Sequence, residues 1–303
     1  MAKNKPRRVV IFLLFRLMSF VILAVPIRIG LILGQAFGNL CFYSLRKERK
    51  KALRNLDIAF GNSKSAIEKR KIVKKVFENL GKSSIEILSI PKLSKESFKR
   101  YVYCKNIDML KRFLQEGKAV IILSGHFGNW EFLAHYLSIN GLPMNVIARR
   151  ARQSGLEAFL TRIRKQNSVN VLYRDASAKE IVDLLRDGKF VGIMPDQDMD
   201  SISGVFVDFF GKSAWTPSGP AVLNLLTGAS IVPCFIVRKA FGHEVIIEKP
   251  MELVKTDNKR RDIFENTSRY TKVIEDHIRK FPEHWVWFHD RWKTKLCCEK
   301  TLE

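Results

Sequence analysis

The chain is short of several things that would have pointed elsewhere. Cysteine is scarce: five in 303 residues, at Cys41, Cys104, Cys234, Cys297 and Cys298, odd in number and without a CxxC spacing. That excludes a disulfide framework, fits a reducing compartment, and leaves no paired ligands of the kind a zinc site needs. No Ser/Gly/Pro-rich linker, low-complexity tract or solenoid-length repeat interrupts the sequence, so one large domain with an appendage is the simplest organisation. No GxSxG elbow supplies a serine nucleophile.

Negative charge is in deficit as well. Lys and Arg number 53 against 30 Asp and Glu, for a net charge of +23. The basic residues cluster at 46–54, 69–75, 149–152, 162–165 and 259–261. Such an excess suits an anionic partner: nucleic acid, anionic lipid headgroups or an acidic carrier protein. No nucleic-acid-binding module accompanies the clusters, so nucleic acid is not expected.

What the sequence does have begins at the N-terminus. Residues 9–25 read VVIFLLFRLMSFVILAV, with only Arg16 and Ser19 polar, at the lower limit for a bilayer-spanning helix. Apolar character resumes after Pro26 and runs to Leu45, where RKERKK follows. The run continues too far for a secretory signal peptide and lacks a small-residue cleavage site, so a retained, tilted or half-embedded membrane anchor is expected. A helical hairpin buried in the protein is the plainer alternative.

Further along, residues 65–88 carry apolar side chains at helical spacing. Residues 119–123, AVIIL, form the short, wholly apolar run of a buried parallel strand. A helix starts near Trp130. Strands at 145–148, 170–173, 190–194, 230–237 and 244–247 then alternate with helices at 154–166, 178–185, 217–226 and 262–280. This alternation predicts an α/β fold, a mostly parallel central sheet flanked by helices, with the N-terminal hydrophobic membrane-anchoring helix attached. In such sheets ligands bind beyond the carboxyl ends of the strands. His126, Arg149, Arg174 and Asp196 each follow a predicted strand closely.

The stretch SGHFGNWEF, residues 124–132, packs chemistry most densely. Asn129 is placed to cap a helix whose first turn holds Glu131. Gly125 and Gly128 allow a sharp turn and a close approach of substrate. His126 lies just outside the helix end, within reach of Glu131. The two are a catalytic base and its carboxylate, a pair of metal ligands, or polar residues of an ordinary strand-to-helix loop. As a catalytic pair they form the His–carboxylate half of a triad, suited to taking a proton from a substrate hydroxyl.

GHFGNWE also resembles the HxxxxE/D motif of the lysophospholipid acyltransferase superfamily, and more closely that of the lauroyl/myristoyl acyltransferases of lipid A biosynthesis. Three further stretches resemble the same family: PDQD at 195–198 leading into GVFVDFFGKSAWTPSGPA at 204–221, IVPCF at 231–235, and PEHWVWFHDRWK at 282–293. The likeness covers nearly the whole chain. It implies a membrane anchor at 1–45 and an acyltransferase domain at 46–303. It implies His126 as general base and Glu131 as its partner, with no metal and no cofactor. The acyl donor would be a thioester on acyl carrier protein, and the acceptor a hydroxyl of an acylated sugar lipid, at the cytoplasmic face of a bacterial inner membrane. Mannosylated inositol lipids are the alternative acceptor. Arg149 would bind anionic substrate or developing oxyanion charge. With it, Asn129, Arg164, Arg174, Asp196 and Asp198 are the candidate substrate-binding residues.

Two expectations compete with this one. Asp196-Gln197-Asp198 is a DxD, which in a glycosyltransferase holds a divalent metal on a nucleotide-sugar diphosphate. A non-enzymatic membrane-surface protein would make the charge and the anchor the whole function. The aromatic residues Phe206, Phe209, Phe210, Trp215, Trp285, Trp287 and Phe288 either line an acyl tunnel or, as such residues more often do, fill the core.

Overall fold

The computed structural model describes residues 20, 22–150, 154–166, 168–173 and 178–295. Seven strands form one sheet: β1 (Val102–Cys104), β2 (Val120–Leu123), β3 (Met144–Ala148), β4 (Asn170–Tyr173), β5 (Phe190–Ile193), β8 (Ser230–Arg238) and β9 (His243–Ile247). Their order is β1-β9-β8-β2-β5-β3-β4, and β6 (Gly204–Phe209) and β7 (Lys212–Pro217) make a separate antiparallel hairpin. The five strands from β8 to β4 are mutually parallel. The edge pair runs the other way, since β9 is antiparallel to β8 and β1 is parallel to β9.

The sheet forms where it does because β2 has no polar residue to expose; all four of its residues are buried. Val120 and Ile122 face one core with Phe132, Leu137 and Phe190, while Ile121 and Leu123 face the other with Val191, Phe235, Ile274 and Trp285. A strand covered on both faces must read as a continuous apolar run.

The helices among the described residues are α1 (Ile27–Ser44), α2 (Arg46–Phe60), α3 (Ala66–Ser89), α4 (Lys95–Tyr101), α5 (Ile107–Gln115), α6 (Trp130–Ile139), α7 (Ser154–Gln166), α8 (Ala178–Arg186), α9 (Gly219–Thr227) and α10 (Lys259–Lys280). The α/β fold with a mostly parallel, helix-flanked sheet is as the sequence predicts. Helix α3 opens on a capping box between Ser65 and Glu68. The basic cluster at 46–54 proves to be the start of α2, whose other face buries Ala52, Leu56, Ala59 and Phe60. The helix expected at 217–226 starts later, because Pro217 closes β7.

Helix α1 lies along α3 with backbone against backbone at Gly34, Gly38 and Gly81, flanked by the side chains of Ile85, Phe42 and Phe77. Gly30, Gly34 and Gly38 are its buried positions with Phe42. A Cβ on Gly81 of α3 would sit 2.1 Å from the Gly34 carbonyl oxygen, and one on Gly38 would sit 2.3 Å from that of Phe77. The opposite face of α1 is bare: Ile29, Ile32, Leu33, Phe37, Leu40 and Tyr43 are 49–68 % exposed. Among the described residues no helix is long and apolar enough to cross a membrane. Most of the run at 9–25, where an anchor was expected, lies outside those residues.

Candidate active site

β2 delivers the motif loop. After Leu123 the chain stays in register with β5 for one more bond, Ser124 N to the Ile193 carbonyl at 3.0 Å, and then turns. Gly128 adopts φ +60, and a Cβ there would lie 1.9 Å from the Ile236 carbonyl oxygen of β8, so only glycine fits. Asn129 is the N-cap of α6, its Oδ1 accepting from Phe132 N at 3.2 Å. The segment at 282–293 clamps the same loop from outside. Phe127 and Trp285 form an antiparallel bridge, Gly128 N donates to the His284 carbonyl (2.8 Å), and Val286 N donates to the His126 carbonyl (3.1 Å).

The loop after β5 gives His126 a carboxylate that the motif does not contain. Nδ1 of His126 lies 2.8 Å from Oδ1 of Asp196, and the backbone N–H of His126 donates to Oδ2 at 2.8 Å. Trp285 Nε1 donates to the same Oδ2 at 2.8 Å. Burial would raise the Asp196 pKa, but the His126 charge and these hydrogen bonds bring it down to about 2. Burial would lower the His126 pKa, but the charge and hydrogen bond of Asp196 raise it above the ordinary histidine value. An ionised Asp196 accepts only, which fixes the proton on Nδ1 and leaves the Nε2 lone pair as the basic site.

Glu131, the expected partner of His126, is turned elsewhere. Both of its carboxylate oxygens are taken by Arg164 of α7, Nε to Oε2 at 3.0 Å and Nη2 to Oε1 at 2.5 Å, a bidentate pair. The reason is positional. The first turn of α6 faces α7, whereas β5, the strand beside β2, carries Asp196 into the loop under His126.

A cavity of about 290 Å³ opens between α6 and the carboxyl ends of β2, β3 and β5. His126, Trp130, Glu131, Arg149 and Arg164 line it together with Ile122, Leu133, Ala134, Met144 and Val146. The His126 side chain is 24 % exposed, while that of Asp196 behind it is fully buried. Ser124 Oγ is a buried donor on this wall with no partner. Apart from Trp130 the apolar lining of this cavity is aliphatic, and none of the seven aromatic residues considered for a tunnel lines it. Phe209, Phe210, Trp285 and Trp287 belong to the core, with Phe288 packed against it, and Phe206 and Trp215 stack on each other on the β6–β7 hairpin.

Of the candidate substrate-binding residues, Arg149 and Arg164 reach the cavity. Asn129, Asp196 and Asp198 are buried behind it and do not line it. Asp198 holds the downstream segment instead, accepting from Thr294 N and Thr294 Oγ1 at 2.7 Å each. The two carboxylates of the DxD thus point at different protein donors, which removes the geometric basis of a metal clamp. Arg174 lies outside the described residues.

The four stretches that resemble one family converge on this cluster: the motif loop, the PDQD loop, β8 and the downstream clamp. Residues 2–294 match the profile of the bacterial lipid A biosynthesis acyltransferases. The chain belongs to this family. It is 28 % identical over 273 residues to the lipid A biosynthesis palmitoleoyltransferase of Escherichia coli (strain K12), covering 89 % of this chain and 87 % of that protein. The lipid A biosynthesis lauroyltransferase of the same organism is 26 % identical over 267 residues, covering 87 % of this chain and 85 % of that protein. A phosphatidylinositol mannoside acyltransferase of Mycolicibacterium smegmatis is 26 % identical over 201 residues, 64 % of each chain.

The acyltransferase is thus an enzyme that moves acyl groups in glycolipid biosynthesis. The sequence singles out His126 and Glu131 as a pair; the structure pairs His126 with Asp196 instead, a pairing the sequence does not single out. The signal was faint but present: Asp196 follows β5 much as His126 follows β2, and it needs only the adjacency of those strands to become a pair.

Proposed function

We propose that this acyltransferase carries a fatty acyl chain from an acyl carrier protein thioester to a hydroxyl of an acylated sugar lipid of the lipid A pathway, with His126 as general base. The observation that carries this reading is the ring of His126, held at Nδ1 by a buried carboxylate and lining a cavity whose apolar wall is largely aliphatic. The acceptor hydroxyl gives its proton to Nε2 as its oxygen attacks the thioester carbonyl. The tetrahedral intermediate collapses, the C–S bond breaks, and the thiolate takes the proton from the imidazolium. Asp196 keeps the ring in one tautomer and balances the imidazolium. Glu131 holds Arg164 at the wall, where that guanidinium and Arg149 offer charge to an anionic acceptor or a developing oxyanion. The aliphatic lining suits an acyl chain.

The bare face of α1 and the basic start of α2 suit the surface of an anionic monolayer, at the cytoplasmic side of the bacterial inner membrane. The net charge of +23 also steers an acidic carrier protein.

The test is transfer from purified acyl carrier protein thioester to a lipid A precursor or a mannosylated phosphatidylinositol, followed by mass spectrometry of the lipid. A gain of one acyl group on the lipid A precursor, lost in His126→Ala, supports the reading. Unchanged turnover in His126→Ala sinks the general base. Acylation of the mannosylated lipid alone reassigns the acceptor.

A further inference from the structure

Five hydrogen bonds converge on one carboxylate outside the cavity. Glu86 of α3 is fully buried. Its Oε1 accepts from Tyr101 Oη at 2.8 Å, His243 Nε2 at 2.9 Å and Arg238 Nη1 at 2.5 Å. Its Oε2 accepts from Arg238 Nη2 at 2.8 Å and Asn129 Nδ2 at 2.9 Å. The donors come from α4, the end of β8, the start of β9 and the motif loop. Taking a carboxylate out of water is costly, and a site that meets the cost with donors from four elements fixes those elements relative to one another.

Asn129 is where this network reaches the chemistry. A carboxylate accepts and does not donate, so it takes the amide NH₂ of Asn129. The other end of that amide, Oδ1, is then aimed at Phe132 N, where it caps α6. Glu86 therefore decides which way round the amide sits, and with it whether the first turn of α6 is capped. That turn holds Trp130 and Glu131 on the cavity wall, and the residue before the cap is Gly128, pressed against β8 two residues from His126.

We infer that Glu86 is a positioning residue for acyl transfer, acting through the orientation of the Asn129 side chain on the loop of His126 and the first turn of α6. The inference rests on the proposed role of His126 as general base. Nothing in the HxxxxE pattern announces it, since Glu86 lies on a different element and touches neither the histidine nor the cavity.

Exchanging the two side chains tests it. In Glu86→Gln the new amide keeps its oxygen where Tyr101, His243 and Arg238 Nη1 donate, and its NH₂ then faces both Arg238 Nη2 and the NH₂ of Asn129, which must rotate and uncap α6. In Asn129→Asp the cap survives but two carboxylates face each other. In the double variant the new amide donates to the new carboxylate, whose second oxygen still accepts from Phe132 N, Arg238 Nη2 keeps its bond to Ser83 Oγ, and the net charge of the cluster is unchanged.

Each single variant is expected to lose on the order of tenfold or more in kcat, with KM for the acyl donor changing less. The double variant is expected to recover most of the loss. Thermal melts run alongside separate unfolding from mispositioning. Folded single variants with native kcat overturn the inference, and so does a folded double variant no faster than the slower single. Should the charged variants fail to fold, Asn129→Ala leaves Glu86 its four other hydrogen bonds, and native kcat in that folded protein overturns the inference equally. His126→Ala in the same assay keeps the two claims apart: activity surviving there sinks the general base, whereas the swap pattern alone judges Glu86.

Discussion

His126 is held between opposing influences. Burial favours its neutral form, and the charge and hydrogen bond of Asp196 favour the protonated one, with the net effect upward. In the proposed role as general base His126 works when neutral, so activity should rise with pH through that raised pKa. Asp196→Asn removes the two upward influences and leaves burial in place. The acid limb of the kcat/KM profile is then expected to move to lower pH, while the plateau falls by roughly 10²- to 10⁴-fold as the tautomer is no longer enforced. A limb that stays put would assign the titration to another group. This pair also shows where residue-level reading stops. His126 stood out through its glycines and the strand before it. Glu131 was the nearest carboxylate in the chain, but proximity in sequence across a helix cap is no guide to which face of the helix a side chain takes. Its real partner, Arg164, belongs to a different helix, and only the packing of α7 on α6 brings the two together.

At the scale of elements, backbone approaches decide more than side chains do. At Gly38 and Gly81 the α1–α3 seam sets a backbone carbonyl against the glycine, so adding bulk there has no rotamer to escape into. Gly81→Val is expected to cost about 2–4 kcal/mol or to lever α1 off α3, read by chemical denaturation and by proteolysis between α1 and α2. Full stability in that variant would mean the seam is not close-packed in solution. Gly128→Ala is a second case, with φ +60 and a Cβ on the Ile236 carbonyl. It should lower both stability, by about 1–3 kcal/mol, and turnover. The strands β2 and β8 were legible because burial along all or nearly all of their length forces an apolar run. Helix α2 was not, since its Lys and Arg residues dominate RKERKKALRNLDIAF and hide a buried stripe. The β6–β7 hairpin was legible only as part of a resemblance, and its place beside α10 follows from strand order, which no local pattern encodes.

The whole molecule carries its charge unevenly between surface and interior. Its exterior is strongly basic, yet burial holds the imidazoles of His135, His277 and His289 below their ordinary pKa and takes His284 down to about 4. Between that value and the unfolded histidine pKa the unfolded chain binds a proton that the folded chain refuses, so stability falls as pH falls. His284 alone accounts for roughly 3 kcal/mol across that window. His126 has the opposite sign: its contribution is present at low pH and lost as pH rises through its raised pKa. Asp196 loses its contribution only as pH falls from 3.8 toward about 2. The melting temperature should therefore drop between pH 7 and pH 4.5, before the carboxylates protonate, and a flat profile would contradict the neutral buried histidines. The bare face of α1 makes a separate prediction at this scale. Phe37→Asp with Leu40→Asp should reduce flotation with anionic vesicles several-fold and leave the melting temperature within a few degrees, because both side chains are exposed. Unchanged flotation would detach that face from the membrane.

The clamp at residues 282–294 imposes an order on synthesis. The motif loop leaves the ribosome well before the residues that bridge Trp285 to Phe127 and set the indole N–H on Asp196. A nascent or clipped chain ending before Trp285 would hold its histidine and its aspartate but not the segment that sets them face to face. The pair thus takes its geometry only once that later segment has closed on the loop.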